Sequence, residues 1–188
     1  MTATFRTSQP VSVDATAPHV VLVGLPGSGK TTVGEGAAKA LRRPFLDLDR
    51  EIERRQGTSI AQIFAERGEY QFRQLEQQLT EELRGSGGMI LSPGGGWITS
   101  PENVALLRPP ARIIYLRVRP ETALRRMGPE RSTRPMLFRP DPLLELRKLL
   151  EARRKAYETA NFTVDTEFQN VQEVINKVCD LVRRDGGA

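Results

Sequence analysis

The nine residues GLPGSGKTT, from Gly24 to Thr32, match the pattern G-x-x-x-x-G-K-[ST] at Gly24, Gly29, Lys30 and Thr31. They follow an apolar run, VVLV, and precede a helical pattern carried by Val33, Ala37, Ala40 and Leu41. That context suits phosphate chemistry. Successive backbone N–H groups around Gly27, Ser28 and Gly29 can cradle phosphate oxygens, and the N-terminus of the following helix adds positive potential. Lys30 can reach the terminal phosphates, with the hydroxyls of Thr31 and Thr32 beside them, and that of Thr31 is suited to ligate Mg2+. The stretch predicts a site for a nucleoside triphosphate.

Further along, FLDLDREIE places Asp47 and Asp49 two residues apart, so in an extended chain both carboxylates point to one side. One acid beside the Thr31 hydroxyl suits a Mg2+ ion held partly through water. The other suits a substrate hydroxyl, either as proton acceptor or as orienting group. Asp49 could instead serve only as the N-cap of a helix over 50–56, a role that has no use for Asp47. A third stretch, SPGGGWIT, gives up side chains at Gly94, Gly95 and Gly96 just before Trp97, the only tryptophan. Glycine in regular structure is roughly 0.5–1 kcal/mol less favourable than alanine, so the run implies a close approach or backbone angles that a Cβ would forbid.

The elements that must position these groups follow from periodicity. HVVLVG, FLDLD, GGMILSP, ARIIYLRV and NFTVDT read as strands. Between them lie helical patterns over 29–41, 49–84 with breaks near Gly57 and Gly68, 120–127, 141–158 and 170–183. Strands alternating with helices predict right-handed crossovers and a three-layer α/β/α domain around a central five-stranded parallel sheet. Ligands of such sheets bind beyond the carboxyl ends of the strands, which is where Gly24, Asp47 to Asp49, the glycine run, and Asp165 with Thr166 fall. Residues 1–18 lack periodicity and are expected to form a mobile tail, leaving one domain over 19–188.

Composition bounds the reading. A chain of 188 residues with 38% hydrophobic and 27% charged residues can bury a core without staples. The lone Cys179 cannot form an internal disulfide, and no apolar run approaches the ~20 residues needed to span a bilayer. The first 18 residues lack the apolar core of a secretory signal, so a cytoplasmic protein with no membrane partner is expected. The net charge of +5 raises nucleic acid as a partner. The 23 arginines, however, are interleaved with acids on helical segments, with no basic stripe carrying aromatics, so no nucleic-acid partner is expected.

Taken together, GLPGSGKTT, DLD, Phe72-Arg73 with Glu76, the glycine run, RPML at Arg134 to Leu137, and Arg153 with Tyr157 before VDT resemble the shikimate kinase family, in order over residues 20–182. The resemblance implies the nucleoside monophosphate kinase fold and transfer of the γ-phosphoryl group of ATP to the 3-hydroxyl of shikimate. It implies ATP and Mg2+, a small-molecule acceptor and a monomer. Lys30 and Thr31 would serve the ATP phosphates and Mg2+, with Asp47 contacting the ion through water. Asp49 would bind the hydroxyls of shikimate as candidate base. Arg73 and Arg153, with the backbone of Gly94, Gly95 and Gly96, would hold its carboxylate. Arg134 would be a catalytic lid arginine on the ATP phosphates, Arg126 would lie against adenine, and the backbone from Gln169 to Val171 would border it. RPML departs from the family's RPLL by a volume-conserving swap.

Other residues have plainer roles. Cys179 shares a helix face with Val174, Ile175 and Val178 and is expected to be a buried small hydrophobe. His19 has no partner at catalytic spacing. Trp97 is either a core anchor or a wall of the substrate pocket, and Glu76 either orients Arg73 or forms an ordinary surface pair. Residues 128–141, with Pro129, Pro135 and Pro140 and no periodicity, are expected to form a lid. Two alternatives use the same phosphate loop. One is a kinase of gluconate or another hydroxy acid, although the His-Pro pattern associated with gluconate kinases is not seen after the second strand. The other is a non-catalytic nucleotide-binding module, which would be expected to lose Lys30 or Asp49.

Overall fold

The computed structural model describes residues 16–128 and 140–185. Arg134 and the greater part of the expected lid lie outside them, as do residues 1–15 of the expected tail. Ala17 and Pro18 are tied in ahead of the expected start at His19: the Ala17 carbonyl accepts from Gly88 N–H at 2.7 Å and that of Pro18 from Arg43 at 3.2 Å.

Five short strands form the sheet: β1 (Val20–Val23), β2 (Phe45–Asp47), β3 (Ile90–Ser92), β4 (Arg112–Arg117) and β5 (Phe162–Asp165). They are all parallel, in the order β2-β3-β1-β4-β5. β1 and β3 are buried throughout, which explains why they read as unbroken apolar runs. In the register, Asp47 stands opposite Ser92 and Val21 opposite Leu91, so β1, β2 and β3 end side by side. The loops leaving them are therefore neighbours.

The helices are α1 (Lys30–Leu41), α2 (Leu48–Gln56), α3 (Ile60–Leu83), α4 (Pro101–Leu107), α5 (Pro120–Met127), α6 (Pro142–Tyr157) and α7 (Val171–Asp185), with a 3-10 turn over Trp97–Thr99. α4 and the 3-10 turn were not expected. A seven-residue helix is too short to show periodicity, although Ser100, whose hydroxyl accepts from Asn103 N–H, and Pro101 behind it form an N-cap and first position that could have marked it. One core packs Val174, Ile175, Val178 and Cys179 of α7 with Val33 and Ala37 of α1 against Leu22 and Ile114. The opposite core joins α2, α3 and α6 to Val21, Val23 and Ile113 and contains Trp97. Cys179 is buried in the first of these cores as a small hydrophobe.

Two helix boundaries aim site residues. α1 starts from Gly29 at φ 92°, a left-handed conformation that glycine adopts without penalty, which turns the loop sharply into the helix. α3 is broken at Gly68, φ 79° and ψ 169°, so the second half, which carries Arg73 and Glu76, runs in a direction of its own. Among the described residues no helix is long and apolar enough to cross a membrane.

Candidate active site

A cleft of about 520 Å3 opens over the carboxyl ends of the strands. The loop residues Gly27 to Thr32 line it with Asp47, Asp49, Gly94 and Gly95, and Arg126, Thr166 and Gln169 close the far side. Residues as far apart in sequence as Gly27 and Val174 thus meet at one surface. Lys30 sits at the first position of α1 and folds back so that its ammonium donates to the carbonyls of Gly24 and Leu25, at 3.0 and 3.1 Å. Thr31 donates to Asp47 Oδ2 at 2.9 Å. Arg126 is held at the other end by Thr166, donating to its hydroxyl and its carbonyl at 2.9 and 2.6 Å.

The alternative in which Asp49 serves as the N-cap is not what the structure shows. β2 ends at Asp47, and Asp47 is the N-cap of α2, its Oδ1 accepting from Arg50 N–H at 3.2 Å. Asp49 lies inside the first turn of α2. The two carboxylates therefore reach one cleft through a strand-to-helix turn rather than along an extended chain.

Arg73 and Arg153 do not line this cleft, but they lie against the glycine run. A Cβ built on Gly94 would stand 2.8 Å from Asp49 Oδ1, one on Gly95 2.8 Å from Arg153 Nη1, and one on Gly96 2.5 Å from Arg73 Nη2. Each glycine leaves room for one charged side chain, and all three distances are far inside van der Waals contact. The run is therefore explained first by the protein's own charges: a side chain at any of the three positions would displace a carboxylate or a guanidinium.

Glu76 is fully buried and orients Arg73, accepting from its Nη1 at 2.9 Å, while Glu69 Oε1 accepts from Nε and Nη2 at 3.3 and 3.1 Å. Both acids lie within one turn of Arg73 on α3, so helical spacing alone brings them together. Burial pushes the Glu76 carboxyl up to about 7; Arg73 pulls it down, and the nearby Asp49 charge adds to the rise. In the unfolded chain it titrates near 4.5. Between about pH 4.5 and 7 the folded state therefore keeps a proton that the unfolded state releases, and this group's contribution to stability is lost as pH rises through that window, by on the order of 3 kcal/mol. Glu76→Gln is expected to remove this loss. His19, buried and lowered in pKa by that burial, acts in the opposite sense, so the check is the difference between wild-type and Glu76→Gln melts at pH 5 and pH 8. His19 has a structural part: Nδ1 accepts from Met89 N–H at 3.3 Å, leaving Nε2 to donate to the Leu83 carbonyl at 3.1 Å.

Trp97 is a core anchor. It is fully buried, and its indole N–H donates to the Thr80 hydroxyl, which donates to the Glu76 carbonyl. The sequence marks no role for Thr80, and it marks Tyr157 only as part of the motif with Arg153. For Tyr157 the signal was its position four residues after Arg153, on the same helix face.

Comparison with known proteins gives a consistent result. The family model described as "Shikimate kinase" matches residues 26–183. A curated shikimate kinase of Thioalkalivibrio sulfidiphilus is 39% identical over 166 residues, covering 88% of this chain and 87% of that protein. Another, of Burkholderia thailandensis, is 41% identical over 169 residues, covering 88% and 91%. The solved shikimate kinase of Acinetobacter baumannii, in complex with shikimate, superposes with a TM-score of 0.85 at 36% identity, covering 93% of this chain and 97% of its own.

Proposed function

The chain belongs to the shikimate kinase family, and we propose how its residues carry the γ-phosphoryl group of ATP to the 3-hydroxyl of shikimate, giving shikimate 3-phosphate and ADP. The observation that supports the assignment is the pairing of Asp49, Arg153 and Arg73 with three successive glycines beside a phosphate loop. One acid that can engage a hydroxyl and two cations that can hold a carboxylate match the chemistry of a hydroxy acid.

The loop from Gly27 to Thr32 cradles the phosphates of ATP, and Lys30 leaves the carbonyls of Gly24 and Leu25 to meet the charge on the transferring group. Arg126 and Gln169 border the base. The Thr31 hydroxyl and the Asp47 carboxylate, 2.9 Å apart at the edge of the loop, are hard oxygen donors that fit Mg2+, an ion that keeps much of its water. When bound there, Mg2+ neutralises phosphate charge. Asp49 accepts the hydrogen bond of the 3-hydroxyl and orients it in line. As the oxygen bonds to the γ-phosphorus and the bond to the β-phosphate oxygen breaks, the hydroxyl proton passes to Asp49. Arg73 and Arg153 fix the carboxylate at the far end of the ring.

A planar guanidinium holds a carboxylate by two parallel charged hydrogen bonds where lysine offers a point charge. Arg73→Lys is expected to raise the shikimate KM about ten- to hundredfold, with the ATP KM nearly unchanged. Steady-state kinetics from a coupled assay of ADP release check this. Equal damage to both KM values would place Arg73 outside the acid pocket. The same assay with a panel of hydroxy acids, gluconate included, tests the acceptor: turnover of another acid at a kcat/KM equal to that of shikimate would overturn the specificity.

A further inference from the structure

All three carbonyls of the glycine run accept hydrogen bonds. Trp97 N–H donates to Gly94 O at 3.0 Å, and Thr99 donates to Gly96 O through its N–H at 3.0 Å and its hydroxyl at 2.6 Å. Those donors are local, part of the 3-10 turn that follows. The middle carbonyl is different: Gly95 O accepts from the hydroxyl of Tyr157, 62 residues away at the end of α6. The bond is 3.3 Å, long for a hydroxyl donor.

A trans peptide is planar, so the carbonyl of Gly95 and the N–H of Gly96 point in opposite directions, and a donor that fixes the first aims the second. The guanidinium of Arg153, one helical turn earlier on α6, stands close enough to the same hydroxyl to act on it electrostatically. Arg153 in turn lies against Gly95, where a Cβ would meet its Nη1. The hydroxyl and the guanidinium therefore meet the same glycine, one at its carbonyl and the other at its Cα. Its place is fixed by packing: the Tyr157 ring is 1% exposed and stacks on Tyr115 with centroids 4.6 Å apart and planes within 5°. Burial raises the Tyr157 pKa, with Arg153 opposing the rise, so the hydroxyl keeps its proton and remains a donor.

Building on the reading that Arg153 holds the shikimate carboxylate, we propose that Tyr157 is a positioning residue for the acceptor. Its hydroxyl joins the Arg153 guanidinium to the Gly95 peptide, and so sets the distance between the cation and the backbone N–H groups that receive one carboxylate. The joint fixes binding of the acid and leaves ATP untouched, because neither Tyr157 nor Arg153 lines the cleft into which the phosphate loop opens.

The test is Tyr157→Phe, which removes one oxygen and keeps the stack on Tyr115. The expected result is a rise of about tenfold in the shikimate KM, the effect of losing one buried hydrogen bond, with the ATP KM within twofold and kcat within about threefold. The second arm is a double-mutant cycle with Arg153→Ala. In that background the joint has nothing to hold, and Tyr157→Phe is expected to change the shikimate KM by less than about twofold. If Arg153→Ala raises the shikimate KM and Tyr157→Phe does not, or if the two effects multiply in full, the joint is overturned while the carboxylate reading stands. If Arg153→Ala leaves the shikimate KM unchanged, the carboxylate reading falls and takes the joint with it. A simple packing role for Tyr157 would shift the melting temperature and both KM values together, and that outcome too overturns the joint.

Discussion

Replacing Lys30 by alanine is expected to lower kcat by at least a hundredfold while the protein stays folded. In the phosphoryl transfer proposed here the chain has little covalent chemistry to do, and the barrier is lowered by placing positive charge where negative charge moves. Lys30 is well placed for this, because α1 and the left-handed Gly29 put its ammonium at the mouth of the loop. It donates to Gly24 O and Leu25 O, two carbonyls of the loop itself. Removing it leaves those carbonyls in a part-buried setting where water can replace the ammonium, so the fold should lose only a little stability, on the order of 1 kcal/mol. The transition state, by contrast, loses a full charge at short range inside a cleft. Turnover by the coupled assay, measured alongside circular dichroism and a thermal melt, separates the two effects. A folded Lys30→Ala protein that keeps more than a tenth of wild-type kcat would refute the role.

The second large effect is at Asp49. Asp49→Asn preserves shape but removes both the charge and the ability to take a proton, and is expected to lower kcat by on the order of 10²–10⁴. The structure sharpens this prediction. Because Asp47 caps α2, Asp49 contributes to the helix only as an acid in its first turn, worth about 0.3–1 kcal/mol. Stability and catalysis should therefore separate: Asp49→Asn should melt close to wild type and turn over slowly, whereas Asp47→Ala should lose the cap, ~1 kcal/mol, as well. Affinity for shikimate should fall with Asp49→Asn, since its carboxylate lies against Gly94, in the place proposed for the acceptor. An Asp49→Asn enzyme with wild-type kcat and a lowered melting temperature would leave Asp49 with a structural part only.

Much of this molecule is set locally, and local features are legible in a sequence. The phosphate loop needs glycines at fixed offsets between a strand and a helix, and all of those requirements are carried by consecutive residues 20–41. The alternation of buried runs with helical periods gave the layers of the domain, and the paired spacing of Arg73 with Glu76 gave the ion pair, because a helix brings such positions together whatever surrounds it. Other features depend on which chain segment comes to lie against which. The order of the strands, the burial of Trp97 on Thr80, and the choice of Asp47 over Asp49 as the cap follow from how β2 ends beside β3 and where α2 then turns. The glycine run shows the division most clearly. Its sequence declares that something must come close, but Asp49, Arg153 and Arg73 arrive from three different helices, 45, 58 and 23 residues away from Gly94, Gly95 and Gly96, and no local periodicity records those distances. Only packing of α2, α3 and α6 on one face of the sheet brings two opposite kinds of charge to three adjacent peptides, because burial of their apolar faces, rather than any property of the charged residues themselves, fixes where those side chains end.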